Sequence, residues 1–296
     1  NGLLGLDNET RRRGVRVRTY RVVSLGPGSG LIEFVRNSLP LYEVLRRLHA
    51  GDPVAIDEAR ARMRDIQAGA PGDRLAVYRE LTRGSPPAFA RFFLDNFPAP
   101  DAWYHARLLY SRGVAATSIV GHILGLGDRH CNNILIDRAS GEPVHIDLGV
   151  AFDQGRYLPI PENVPFRLTR DIVAGFGISG TEGLFSKSCE HVFRVLRTHS
   201  QYICGILNVL KYDPLYSWTL SPLRIHQLQH LQGDNVPLGR LLGRDTGSEA
   251  SLAISVVQKK LAADGLGDEA AVRVLIRDAT DPLNLATIYM GWCPFL

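Results

Sequence analysis

The sequence is short of several things at once. Its 296 residues hold only four cysteines, Cys131, Cys189, Cys204 and Cys293, with no C-x-x-C pair and no histidine at metal-ligand spacing from them. That argues against a thiolate metal site or a disulfide framework, and the four read as reduced thiols of an intracellular protein. No apolar run approaches the ~20 residues of a membrane-spanning helix, and no signal-peptide pattern opens the chain. Charge of one sign is not in marked excess either. A net +4, from 34 basic and 30 acidic residues, does not by itself argue for nucleic acid. The local run RRRGVRVR (Arg11, Arg12, Arg13, Arg16, Arg18) reads as a solvated strand edge in preference to a polyanion site. Internal repeats are lacking, and so is an initial methionine; the chain is expected to be part of something longer.

What is present is an ordinary globular composition, 45% hydrophobic and 22% charged, long enough for one large or two moderate domains. Strands are predicted at Arg16 to Leu25 and at Gly30 to Val35, around the turn GPGSG. Helical spacing covers Leu41 to Leu48, AIDEARARMRDI, Ala88 to Phe97 and Asp101 to Leu124, with Asp101 as N-cap after Pro100. Two short strands, Asn133 to Asp137 and Pro143 to Leu148, are joined by a turn at Ser140-Gly141. Residues 149–165 read as a long functional loop. Helices resume near Arg167 and run to about Gln229, Gly233 to Gly247 reads as a flexible linker, and helices at Ser251 to Ala263 and Asp268 to Thr280 precede a short aromatic tail, GWCPFL.

Two polar clusters interrupt the apolar runs: GLGDRHCNNILI (Gly125 to Ile136) and VHIDLG (Val144 to Gly149). Asp128 and Asn133 form D-x-x-x-x-N, the interval at which protein kinases place the aspartate that receives a hydroxyl proton and the asparagine that binds magnesium. Asp147 stands where the second magnesium ligand is expected. Mg²⁺ prefers hard oxygen ligands and is commonly shared between one or two side chains and the substrate phosphates. Arg129 reads as a structural ion-pair partner in preference to a phosphate contact.

The order Asp128-Arg129-His130 reverses the H-R-D of ordinary protein kinases. GxGDRHxxNI followed by HIDxG resembles the phosphatidylinositol-3-kinase-related family, which contains lipid kinases and very large protein kinases. The resemblance implies that Asp128 orients or deprotonates the acceptor hydroxyl and that His130 faces the transferring phosphate. Asn133 and Asp147 would bind the metal. A lipid kinase needs a basic loop to meet an anionic head group. Here LGVAFDQGRYLPIPENVP offers Arg156 alone against Asp153 and Glu162, which favours a protein acceptor. The stretch HIDLGVAFDQGRYLPIPENVPFRLTRDIVAGFGISGTEGLF, with LKYDPLYSW further on, resembles the ATM branch of that family.

That resemblance implies an α+β, bilobal kinase-like fold with a mostly helical C-lobe. Residues 1–39 would be the rear strands of the N-lobe and the hinge, 40–223 the C-lobe, 224–263 a regulatory region and 264–296 a FATC segment. It implies a serine/threonine kinase using ATP with Mg²⁺, or alternatively Mn²⁺, on proteins at Ser/Thr-Gln sites, with a phosphoinositide lipid kinase or a pseudokinase scaffold of the same superfamily as the alternative readings. The adenine would meet Glu33, Phe34 and Val35, over an apolar floor of Leu135 and Ile146 that doubles as core packing. Gln229, in HQLQHLQ, is the candidate substrate mimic, with an ordinary polar helix face as the competing reading. Implied partners are a second copy through the larger protein and a double-strand-break sensor complex of the Mre11-Rad50-Nbs/Xrs type. DNA is met only indirectly and no membrane is involved; the implied location is the nucleus, at breaks and telomeres. The family's phosphate-covering loop, ATP-binding lysine and helix glutamate are expected before Asn1, so residues 1–296 alone are expected to be inactive.

Overall fold

The structure is a computed structural model, and it describes residues 1–26, 29–158, 160–210 and 246–296. Two short helices open it, α1 (Gly2–Leu6) and α2 (Asn8–Arg12). Asp7 caps the second by accepting the N–H groups of Glu9 and Thr10. The strand expected from Arg16 does not begin until Val22, where β1 (Val22–Gly26) pairs antiparallel with β2 (Ser29–Ile32). The arginine cluster is therefore not a strand edge. Arg16 grips Glu142 through two bonds of 2.9 and 3.0 Å, and Arg18 reaches both Glu142 (3.4 Å) and Asp137 (3.6 Å). Both carboxylates are buried, and a buried charge needs a partner, so these two arginines clamp the amino-terminal segment to the body of the molecule.

Those acids belong to a second sheet, in the order β3 (Ser38–Pro40), β4 (Ile134–Asp137), β5 (Pro143–His145). It is antiparallel throughout, with Leu39 opposite Ile136 and Leu135 opposite Val144. The rest is helical: α3 (Leu41–Leu48), α4 (Ile56–Asp65), α5 (Pro71–Gly84), α6 (Ala90–Asn96), α7 (Pro100–Leu124), α8 (Arg170–Ala174), α9 (Leu184–Thr198), α10 (Ser200–Leu210), α11 (Thr246–Ala262), α12 (Asp268–Thr280) and α13 (Pro282–Thr287).

The 25-residue α7 is the axis of the core. It starts on Pro100, whose missing N–H costs nothing at the first helical position; Ala99 takes the cap, and Asp101 lies in the first turn instead of capping. Its middle, GVAATS, is buried and small, which lets neighbours approach. Gly113 lies against the Pro143 ring, where a Cβ would come within 2.7 Å of Cδ. Helix α9 packs along it. An aromatic cluster of Phe89, Phe92, Phe93, Phe97 and Tyr110 closes one end, with ring centroids 5.2 to 6.4 Å apart.

The C-terminal tail is structured and internal. Asp281 caps α13, and Trp292, Phe295 and Leu296 are at most 3% exposed. Arg167 donates to the carbonyls of Trp292 and Cys293, and Arg170 to that of Phe295. Most of the expected linker and regulatory region, residues 211–245, lies outside the described residues. The described remainder begins α11, which packs on α7 and α9.

Candidate active site

Helix α7 ends on Gly125, whose left-handed backbone (φ +63°) closes the last turn through Leu126 N–H to the Gly121 carbonyl at 2.8 Å. The chain then runs through Asp128, itself left-handed (φ +56°), to a single 3₁₀ turn at Cys131–Asn133 that feeds β4. Such a conformation costs a non-glycine residue about 1–3 kcal/mol and persists only where its surroundings enforce it. The enforcement is visible. Asn133 donates Nδ2 to the Asp128 carbonyl at 2.9 Å, and the Asp128 N–H is accepted by Glu162 Oε1 at 2.8 Å.

His130 is half-buried beside Asp128, with Nε2 3.9 Å from Oδ1. Its Nδ1 accepts the Asn132 N–H at 3.2 Å, so in the neutral ring the proton sits on Nε2. Burial is the main cause that pushes the imidazole pKa below its ordinary value, against the pull of Asp128. The ring is therefore neutral at pH 7 and presents one N–H donor on the side of the carboxylate.

Asp147 follows β5, exposed and left-handed (φ +51°). The Ile146 N–H bonds the Asn133 carbonyl at 3.0 Å, which fastens the metal strand to the catalytic loop. Arg129 completes the fastening. It is buried and donates Nε to the Gly127 carbonyl (2.8 Å), Nη1 to that of Ile146 (2.7 Å) and Nη2 to that of Asp147. Its partners are backbone carbonyls rather than the carboxylate of the expected ion pair, and they take three of its five N–H donors.

This arrangement fits a hard cation. With Nδ2 of Asn133 committed to Asp128, the side-chain oxygen remains as its ligating atom, and the Asp147 carboxylate is exposed. Among the described residues no group of three or more His, Cys, Asp or Glu side chains could hold a metal. Mg²⁺ sites commonly take only one or two oxygen ligands from protein, the rest of the shell coming from substrate and water.

Along β4, Ile134 and Ile136 are buried in the core while Leu135 is half-exposed on the opposite face, and Ile146 is half-exposed beside Asp147. The hinge residues lie between the two sheets. The Glu33 N–H bonds the Arg21 carbonyl (2.8 Å) and its carboxylate accepts the Arg21 N–H (2.9 Å), which leaves its backbone carbonyl as the group a base would meet if it bound there. Val35 accepts from Ser38 Oγ, and Phe34 is 84% exposed. The structure thus joins Asp128, His130, Asn133, Asp147, Leu135 and Ile146, with the hinge one strand away. Gln229 lies outside the described residues.

Three residues outside the predicted site set lie against it. Glu162 bonds Asp128. Lys260, on α11, donates to Asp153 (2.5 Å) and to the His122 carbonyl (2.9 Å), pinning the start of the loop after Asp147. Arg167 carries the tail. Their partners lie 34 to 138 residues away in sequence, so no local spacing could reveal them.

Residues 1–220 match the family described as Phosphatidylinositol 3- and 4-kinase, and residues 269–296 match the FATC domain. The chain is 54% identical to the serine/threonine-protein kinase TEL1 of Debaryomyces hansenii and 48% identical to that of Saccharomyces cerevisiae, over all of its length in both cases. It spans 10% and 11% of those relatives, about a tenth of their length. Among solved structures it superposes over its whole length on the "FAT and kinase domain of CtTel1", with a TM-score of 0.90 at 45% identity, covering 20% of that chain. The "Tel1 kinase butterfly symmetric dimer" gives 0.89 at 49% identity, with 12% of that chain covered. The mostly helical, few-stranded fold expected from the sequence is the fold of these kinase structures.

Proposed function

The chain belongs to the phosphatidylinositol 3- and 4-kinase family and ends in a FATC domain, and on that premise we propose that it is the catalytic part of a serine/threonine protein kinase. The observation that carries the reading is the fastening of Asp128, Asn133 and Asp147 into one site by Arg129 and by the Ile146 to Asn133 bond. Phosphoryl transfer asks little covalent work of a protein; positioning and charge neutralisation supply most of the rate. Asp128 takes the proton of the acceptor hydroxyl. His130 Nε2–H donates to the phosphoryl oxygens as their charge grows. Asn133 and Asp147 would hold Mg²⁺, which would supply neutralisation of phosphate charge. The Glu33 carbonyl and Val35 N–H meet the adenine edge, with Phe34, Leu135 and Ile146 against its faces.

A protein acceptor suits the site better than a lipid head group. Arg156 is the sole basic side chain in the segment 148–165, and it stands 3.8 Å from Asp153. The TEL1 names of the relatives point the same way. We extend the reading to Ser/Thr-Gln sites, to damage and telomere signalling in the nucleus through a break-sensor complex, and to dimerisation through the longer protein, which the symmetric-dimer relative supports. Asp147→Ala in the whole protein is expected to lower Mg²⁺-dependent phosphorylation of a serine-glutamine peptide about a hundredfold or more. Unchanged transfer would remove the site, and preferential transfer to phosphoinositide would replace the substrate class.

A further inference from the structure

We propose that Glu162 is a positioning residue of the reaction: its carboxylate fixes the backbone of Asp128 in the conformation from which that aspartate meets the acceptor hydroxyl. The inference rests on the reading of Asp128 as proton acceptor.

Glu162 lies 34 residues beyond Asp128, in the long loop after Asp147, and returns to it. Its Oε1 accepts the Asp128 N–H at 2.8 Å, and its own N–H is anchored on the Gly155 carbonyl at 3.1 Å. The slot it fills is made by two glycines. A Cβ at Gly127 would come within 2.6 Å of Oε2, and one at Gly155 would collide with the same atom. A side chain at either glycine would displace the carboxylate from Asp128. Neighbouring contacts act on different atoms: Asn133 on the Asp128 carbonyl and carboxylate, Arg129 on the Gly127 carbonyl, Val150 on the Gly127 N–H. Glu162 alone among these holds the Asp128 N–H, and with it the left-handed φ of +56°.

The groups facing the carboxylate are Asp128, Arg129 and Trp292. Burial chiefly raises its pKa, to about 7, with Asp128 adding to the rise; the bond from the Asp128 N–H opposes it, and Arg129 and the Trp292 indole oppose it more weakly. The buried indole N–H of Trp292 makes no hydrogen bond of ordinary geometry among the described residues. An acceptor that works in either protonation state is what the geometry needs, since Oε1 has only to receive an N–H.

That requirement sets the test. In the whole protein, Glu162→Gln keeps an acceptor of the same shape and Glu162→Ala removes it. With a serine-glutamine peptide and Mg-ATP, Ala is expected to lower kcat about a hundredfold with the KM for ATP within about twofold, while Gln stays within about fivefold of wild type. Hydrogen exchange of the segment 125–131, read without substrate, is expected to quicken in Ala and not in Gln. Wild-type kcat in Ala overturns the inference, as does a Gln variant as impaired as Ala. A loss in Ala that falls on ATP binding with kcat intact also overturns it. If Ala does not fold, Gln decides alone: a fall in its kcat of more than about tenfold overturns the acceptor role, and near-wild-type kcat supports it. A wild-type protein inactive on peptide would instead remove the reading of Asp128.

Discussion

At His130 the bond behind the ring sets the chemistry in front of it. Because Nδ1 is occupied by the Asn132 N–H, the proton is on Nε2, and burial keeps the ring neutral, so it donates without adding a positive charge. A donor aimed at charge that develops only in the transition state acts on kcat rather than on binding. His130→Ala is expected to lower kcat about a hundredfold while the KM for ATP moves by no more than about twofold; steady-state kinetics with a peptide substrate decide it, and an effect confined to KM would count against the donor role. At this scale the candidate site is legible where its residues are close in sequence. Asp128, Asn133 and Asp147 stand out as candidates by spacing and by residue type. Glu162 does not, because its contact is a backbone N–H set by a loop's return path, and its charge alone was all that composition could weigh. Arg129 was half legible: its burial could be guessed from the apolar flanks, but carbonyl partners leave no mark on a sequence.

The element that carries this site is the junction of α7 with the loop after Asp147. Phe152 N–H bonds the Leu124 carbonyl at 2.8 Å, Asp153 N–H that of Gly125 at 3.0 Å, and Gly127 N–H that of Val150 at 3.0 Å. A short ladder thus ties the helix end to the loop. Gly125 is required twice, by its φ of +63° and because a Cβ would strike the Asp153 backbone. Gly125→Ala is expected to destabilise the protein by about 1–3 kcal/mol and to reduce kcat as the ladder opens, checked by thermal melting beside a peptide assay. Helices with strong periodicity were read well: Leu41–Leu48 and Asp268–Thr280 lie where expected, and α7 begins one residue early because proline prefers the first helical position. Helix α5 was passed over, since PGDRLAVYRELTRG opens and closes with residues that ordinarily break helices. No strand runs from Arg16, because Arg16 and Arg18 are held by Glu142 and Asp137, acids more than a hundred residues away that a β-branched pattern cannot show.

Across the whole molecule, the tail and the helical body meet at a buried polar hub behind the active site. His49, at the end of α3, bonds Asp52 through Nδ1 (2.7 Å) and Asp171 through Nε2 (3.1 Å). Asp171, fully buried on α8, also accepts the N–H groups of Ala88 (2.7 Å) and Phe89 (3.1 Å), which positions α6. The adjacent Arg170 links the same region to the tail, donating to the carbonyls of Thr82, Ser85 and Phe295. Ser85 Oγ donates to Asp52 beside the ring. Burial works against a charge on His49, but the hydrogen bonds and charges of Asp171 and then Asp52 outweigh it and hold its pKa above the ordinary 6.5. A group whose folded pKa is raised contributes stability that is fully present below the unfolded pKa and is lost as pH climbs through the folded value. The imidazolium should therefore strengthen the hub at pH 6 and weaken it as pH rises. His49→Gln leaves Asp171 and Asp52 without their shared cation, a loss of up to about 3–5 kcal/mol where the ring is charged. Hydrogen exchange at Ala88 and Phe89, corrected for intrinsic rates, reads this locally in the whole protein. The protection lost in the variant is expected to be largest near pH 6 and to shrink toward pH 9 as the wild-type ring deprotonates. A gap between wild type and variant that stays constant across that range would mean that His49 does not titrate there, and that the hub is held by neutral hydrogen bonds alone.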